Sequence, residues 1–280
     1  MRTAVVTIVH GRDAHLRRQL DGLAGGTTVP DQHVVVAIDD PAVADIVAAA
    51  GSSAVVVPFD NPEGPLPIAA ARNAGAAAAI TAGAELLIFL DVDCIPGTSL
   101  VARYRTTAAH PNHRDALLCG AVTYLPPPGP RGYPTDLAPL TDPHPARPAP
   151  PPSDVITTDD RHLFWSLSFA LAASTWERIG GFCTRYRGYG AEDTDFGQTA
   201  GALGVPMRWV GGADAFHQYH PVSDPPIEHV EDVVRNAAIF HDRWQWWPMQ
   251  GWLDAFEDLG LITRCPDGRP VVAKQQVSGA

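Results

Sequence analysis

The stretch that most constrains this chain is Leu87-Ile88-Phe89-Leu90-Asp91-Val92-Asp93, an apolar run ending in two carboxylates one residue apart. A run so short and so apolar predicts a strand buried on both faces of a sheet. Side chains two apart on a strand share a face, so Asp91 and Asp93 are expected to point the same way just past the strand's carboxyl end. Paired hard oxygen donors there suit Mg²⁺ or Mn²⁺, an ion that commonly bridges a protein to substrate phosphates. The alternative is two aspartates that merely open a surface turn.

Upstream, residues 3–9 predict a first buried strand, broken by His10-Gly11-Arg12-Asp13 before Leu16, Leu20 and Leu23 mark an amphipathic helix. Val34 to Ile38 predicts a second strand ending on Asp39-Asp40. Asp39 either meets a ribose hydroxyl or base edge, or caps the helix that begins near Pro41. A third strand, Val55 to Val57, runs through the loop Pro58 to Pro65 into an alanine-rich helix, Ile68 to Ala82, that carries Ala71-Arg72-Asn73-Ala74-Gly75. Arg72 either reaches a phosphate or faces solvent. A helix over about 99–109 and a strand over 117–124 continue the alternation, which predicts an α/β fold with a mostly parallel sheet and ligands at the strands' carboxyl ends.

The composition then changes. Between Pro126 and Pro152 lie 12 of the chain's 27 prolines, with no apolar periodicity to make an element. A loop this long inside a compact domain is expected to be mobile, as a lid or a partner-binding segment is, with a domain linker the alternative. Leu163, Trp165, Leu167, Phe169 and Leu171 then alternate as in a half-buried strand, and Ser174 is placed to cap a short helix that stops at Gly180-Gly181-Phe182.

A second constellation follows in Gly188-Tyr189-Gly190-Ala191-Glu192-Asp193-Thr194-Asp195. A helix dipole accounts for one carboxylate near an N-terminus, but three within four positions repel one another unless a cation or ligand organises them. Met207 to Val210 predicts another strand, and His217 and His220 beyond it are candidate metal ligands. Residues 230–261 have helical spacing interrupted by Pro248, and the cluster Trp244, Trp246, Trp247 and Trp252 is expected to pack a helix pair, with one indole as an acceptor wall the alternative.

A formal charge of −11 argues against a nucleic-acid surface. Cys94, Cys119, Cys183 and Cys265 form no Cys-x-x-Cys pair and read as reduced, unpaired thiols. The N-terminal apolar run is too short for a signal peptide, and no window is long enough to span a bilayer, so a cytoplasmic protein without a transmembrane segment is expected.

These motifs, in this order, resemble the GT-A glycosyltransferases of family two, and Gly188 to Asp195 resembles the acceptor-site motif of the β-1,4-galactosyltransferase type. The resemblance covers roughly residues 3–220 without the proline-rich loop. It implies a GT-A (Rossmann-like) fold and an inverting, metal-dependent transfer of a hexose from a nucleotide-diphosphate sugar, UDP-linked by expectation, to a carbohydrate, lipid-linked or small-molecule acceptor. Asp39, Arg72, Asp91 and His10 would contact the nucleotide sugar, and Asp93, His217 and Asp91 would hold Mn²⁺ or Mg²⁺. Glu192 would orient the acceptor hydroxyl and Asp193 would act as its base. One departure is that Gln198-Thr199-Ala200-Gly201 offers no basic residue for the diphosphate.

The implied organisation is a catalytic domain over 1–225, divided into a nucleotide-sugar half (1–125), the mobile loop (126–153) and an acceptor half (154–225). A helical segment (226–265) and a tail (266–280) follow. Two other readings remain: a non-catalytic nucleotide-sugar-binding protein, and an Asp-x-Asp phosphatase, for which Lys274 is the chain's one lysine.

Overall fold

A computed structural model describes residues 1–61 and 64–273; Pro62 and Glu63 of the third-strand loop and positions 274–280 of the tail, Lys274 included, lie outside the described residues. The first half alternates as expected: β1 (Thr3–Val9), α1 (Asp13–Ala24), β2 (Gln32–Ile38), α2 (Ala42–Ala49), β3 (Val55–Phe59), α3 (Ile68–Thr81), β4 (Leu86–Leu90), β5 (Cys94–Pro96), α4 (Leu100–Ala109) and β6 (Leu117–Tyr124). The second half holds β7 (Val155–Thr158), β8 (Ser168–Ala172), α5 (Ala173–Ile179), α6 (Glu192–Ala202), β9 (Met207–His217), α7 (Val230–Trp244), α8 (Gln250–Asp258), β10 (Ile262–Arg264) and β11 (Pro270–Val272).

The main sheet runs β3-β2-β1-β4-β8-β6-β9-β5, with β7 added along β9. Its β1, β2, β3, β4, β6 and β9 share one direction, and β5, β7 and β8 run against them. Helices cover both faces. Leu87 and Phe89 of β4 point toward the face of α3, α5 and α6, whereas Leu86, Ile88 and Leu90 point toward α4. Both faces of β4 are therefore dry, as its uninterrupted apolar run requires. A β-carbon at Gly75 would fall 2.5 Å from Val6 Cγ1, so the glycine lets α3 lie directly on the sheet.

Three local expectations need correction. Residues 162–167 are not strand: Asp160 accepts from the His162 amide to form a tight turn, and β8 begins only at Ser168, opposite Leu90, where β4 offers a partner. The strand is also buried over Ser168 to Leu171 rather than on alternate residues, because it is wedged between β4 and β6. Ser174 lies inside α5, whose N-cap is Ala172 with no side-chain cap. Finally, β4 ends at Leu90, so Asp91 to Asp93 form a turn beyond the strand, closed by the Cys94 amide donating to Asp91 O at 2.8 Å, and the two carboxylates meet different partners.

The proline-rich segment is laid against the sheet at its later half. The His144 amide donates to Val122 O, the Gly211 amide donates to Asp154 O, and a β-carbon at Gly211 would sit 1.8 Å from Pro151 O. That crossing admits glycine alone. Downstream, Leu253 and Phe256 of α8 bury against Val233 and Ala237 of α7, as the helical spacing predicts. The hairpin β10-β11 closes over the same cluster through Ile262, an element with too few residues per strand to read from the sequence.

Candidate active site

Two adjoining cavities, of about 770 Å³ and 670 Å³, open at the carboxyl ends of β1 and β4 and share Arg72, Asp91, Tyr124, Leu167, Tyr189 and Trp252 on their common wall. His10, Arg12, Asp93, His217 and His220 line the first. Glu192 and Asp193 line the second, among Trp165, Trp246 and Trp252.

Arg72 joins them. Far from facing solvent, it is 5% exposed and donates Nη2 to Asp91 Oδ1 at 2.9 Å and Nη1 to Glu192 Oε1 at 3.0 Å. Burial alone would lower its pKa, but the two carboxylates outweigh burial and raise it. Asp91 is shifted upward, chiefly by its own burial and against the pull of Arg72. Thus Asp91, expected as a shared metal ligand, has one oxygen committed to a guanidinium.

Asp93 stands among a different set of groups. One ligand atom each from Asp93, His217 and His220 lies within 4.8 Å of the others, the one such group among the described residues. Asp93 Oδ1 is buried with no hydrogen-bond partner among the described residues, although Arg12 Nε stands 3.5 Å and His15 Nε2 3.8 Å away. His217 has its pKa lowered to about 4, mainly by burial, so it is neutral with a lone pair free for coordination. An orphaned carboxylate oxygen beside two imidazoles fits a divalent cation. The sequence left His217 and His220 as competitors; the fold brings both to Asp93 because β9 runs through to His217 and pairs it with Cys94.

The acidic motif separates into three tasks. Glu192 is held by Arg72. Asp195 is 1% exposed and accepts from Trp244 Nε1 at 2.8 Å and Tyr186 Oη at 3.2 Å, with Arg243 Nε at 2.9 Å, so it fastens α6 to α7. Among the described residues Asp193 accepts only from Thr194, its amide at 2.6 Å and its hydroxyl at 3.3 Å, and it faces the second cavity. Burial first, and the charge of Glu192 second, push its pKa up to about 7. The helix dipole favours the anion, but here desolvation wins. Ala191 before it has φ +72°, a left-handed conformation that costs a non-glycine residue roughly 1 to 2 kcal/mol. Stacked rings beneath α6 hold it in place, with Phe182 4.4 Å from Phe196 and Phe89 4.6 Å from Phe169.

Of two further predicted nucleotide residues, His10 lines the first cavity and Asp39 lines neither. His10 Nδ1 is 2.8 Å from Ile38 O and its ring lines the first cavity. Asp39, with φ +44°, accepts from the Asn61 amide at 2.8 Å and so braces the loop after β3; it caps no helix. The tryptophan cluster divides, since Trp244 binds Asp195 and Trp247 stacks on His241 while Trp246 and Trp252 face the second cavity. Arg12, His15, Tyr124, His144 and Trp165 were not legible as site residues, for none sits in a motif and only the fold gathers them.

No protein-family model matches the chain. Among solved structures, residues 1–349 of S. aureus TarS in complex with UDP-GlcNAc superpose with a TM-score of 0.59 at 12% identity, covering 92% of this chain and 80% of that one. GalNAc-T7 with UDP, GalNAc and Mn²⁺ gives a TM-score of 0.58 at 14% identity, over 92% and 54%. The chain has the GT-A fold. Validoxylamine A glucosyltransferases from Streptomyces hygroscopicus subsp. limoneus and subsp. jinggangensis (strain 5008) are 28% and 27% identical to this GT-A chain over 241 residues, 77% of its length. It spans about half of those relatives, 52% and 56%. No helix among the described residues of the GT-A chain is long and apolar enough to cross a membrane.

Proposed function

We propose that this chain is an inverting glycosyltransferase that moves a hexose from a UDP-sugar to an acceptor hydroxyl with the help of Mn²⁺ or Mg²⁺. The observation that carries the reading is the placement of a ready-made cation group, Asp93, His217 and His220, in one cavity and a poised carboxylate, Asp193, in the cavity beside it. The curated relatives are glucosyltransferases by name, and both GT-A neighbours above were solved with UDP or a UDP-sugar, which supports the donor class.

Asp93, His217 and His220 would hold the cation, which when bound takes up the negative charge developing on a departing diphosphate. His10 and Arg12 stand where the first cavity meets that group and would bind the nucleotide, while Asp91, kept in place by Arg72, would meet the transferred sugar. Glu192, oriented by the same guanidinium, would accept from the acceptor hydroxyl. Asp193 would take its proton, and a pKa of about 7 makes it both ionised and basic near neutrality. With the base in one cavity and the leaving group in the other, a single displacement inverts the anomeric centre, and no covalent enzyme nucleophile is required.

The test is a panel of UDP-glucose, UDP-galactose and UDP-GlcNAc with Mn²⁺, validoxylamine A as the first acceptor, and NMR of the product anomer. Chelator-sensitive UDP release with an inverted product is expected. Retention of configuration would overturn the mechanism. UDP-sugar binding without release under any acceptor would leave a non-catalytic binding protein, the second reading that the same cavities permit.

A further inference from the structure

The proline-rich segment holds a buried cation that has no counter-ion among the described residues. Arg147 is 6% exposed, and Nε, Nη1 and Nη2 all lack a hydrogen-bond partner among the described residues. Burial lowers its pKa, but an arginine does not lose its proton near neutral pH. A charge buried in this way is costly unless its surroundings answer it. What answers it here is aromatic: the guanidinium carbon lies 4.8 Å from the ring centre of Trp209 and 5.1 Å from that of Trp165. Desolvated contacts of this kind contribute most when water is excluded, as it is here.

The two indoles differ in what they need. Trp209 is fully buried on β9 and is fixed by the core. Trp165 belongs to no strand, follows the turn at Arg161–Leu163, and lines the second cavity. Its other ring neighbour is His144, 5.0 Å away and edge-on, which lines the same cavity. The Arg147 amide donates to His144 O at 3.0 Å, and the His144 amide donates to Val122 O at 3.2 Å, so the segment is tied to β6 just where Arg147 turns inward.

We propose that Arg147 is a positioning residue for acceptor recognition, which fastens the loop indole Trp165 to the core indole Trp209 and thereby sets Trp165 and His144 as the wall on which a ring-shaped polyol acceptor rests. This deepens the glycosyltransferase reading and rests on it. Arg147 touches neither cavity, so it acts only through those two side chains. A plain stability role would lower the melting temperature and leave the kinetic constants alone; the positioning role moves acceptor KM and spares the donor.

The experiment compares Arg147→Met, which keeps length and apolar bulk without charge, with Arg147→Lys, which keeps the charge. Validoxylamine A is the acceptor probe, replaced by whichever acceptor the panel above yields, and UDP with Mn²⁺ is the donor-site probe. Arg147→Met is expected to raise acceptor KM about tenfold with the UDP dissociation constant within twofold of wild type, Arg147→Lys to recover part of that loss, and Trp165→Leu to add less than threefold in the Arg147→Met background. Acrylamide quenching of the Trp165 emission, taken by difference from Trp165→Phe, should rise in Arg147→Met without any ligand. An unchanged acceptor KM, or a rise in KM accompanied by an equal loss of UDP affinity, would overturn the proposal. Should Arg147→Met fail to fold, Arg147→Lys decides, with a KM rise of threefold or more expected and an unchanged value fatal. Wild-type protein that binds no UDP would sink the glycosyltransferase reading instead, and an unmoved quenching difference would then sink the latch as well.

Discussion

Arg72 donates to Glu192 at 3.0 Å across 120 residues of sequence, and with its second nitrogen it holds Asp91. One guanidinium thus fixes a carboxylate in each cavity. Replacing it leaves two largely buried carboxylates without a cation, so Arg72→Met should cost roughly 3 to 5 kcal/mol of stability at neutral pH. The loss should shrink as pH falls and Asp91 takes up a proton. Denaturant melts at several pH values check this, and a loss below about 1 kcal/mol at neutrality contradicts the bridging role.

Metal binding has a readout that needs no substrate. A ligand that binds only the folded state raises its stability by about 2.7 kcal/mol at a hundred times its dissociation constant. Mn²⁺ should therefore raise the melting temperature of the wild type but not of Asp93→Ala, with His217→Ala and His220→Ala shifted less than wild type. Equal shifts in all four proteins would place the ion elsewhere.

Asp193 should trade activity against stability. Its folded pKa of about 7 exceeds the unfolded value of 3.8, so the folded state holds the proton more tightly and pays a penalty that is absent below about pH 4 and complete above about pH 7. Asp193→Asn removes that penalty. The variant should be more stable than wild type by about 1 to 3 kcal/mol above pH 7, allowing for water in the open cleft, with the difference vanishing toward pH 4. Transfer should fall by roughly two to four powers of ten while UDP affinity holds, and wild-type kcat/KM should climb with pH through about 7. A variant that is less stable at pH 8 would mean the carboxylate is held by partners rather than stranded.

The proline-rich segment should behave as two pieces. Positions 142–154 are tied to β6 and β9 through His144, Arg147 and Asp154, whereas 127–132 is exposed. Hydrogen exchange should be slow over the first piece with or without substrates. It should be fast over 127–132 and slowed there by donor or acceptor, which is the lid motion expected of a loop this long. Uniform exchange across 126–153 would remove the division.

How much of this was legible depended on whether partners were near in sequence. The run Leu87 to Leu90 announced a strand dry on both faces because apolar periodicity is local, and β4 proved so. Arg72 was ambiguous on its helix because what buries it, Glu192, is brought up by a different element. The three carboxylates of the acidic motif promised an organising cation, but nothing in their spacing says that Asp195 belongs to Trp244, Tyr186 and Arg243. Leu163 to Leu167 alternated like a strand and are none, since alternation does not reveal where the neighbouring strand stops. Arg147 looked like one more residue of a featureless loop, and only the two indoles give it meaning.

The crossing of Pro151 over Gly211 has a bearing on how such a chain can be remodelled. A backbone carbonyl that excludes even a methyl group is a fixed staple, and the chain on its far side cannot slide without unseating β9. Length and composition are then free to vary over the exposed positions 127–132, well ahead of both the staple and the His144 tie to Val122 O. An insert exchanged there would have its ends dictated by the sheet and would leave the carboxylates of the two cavities untouched.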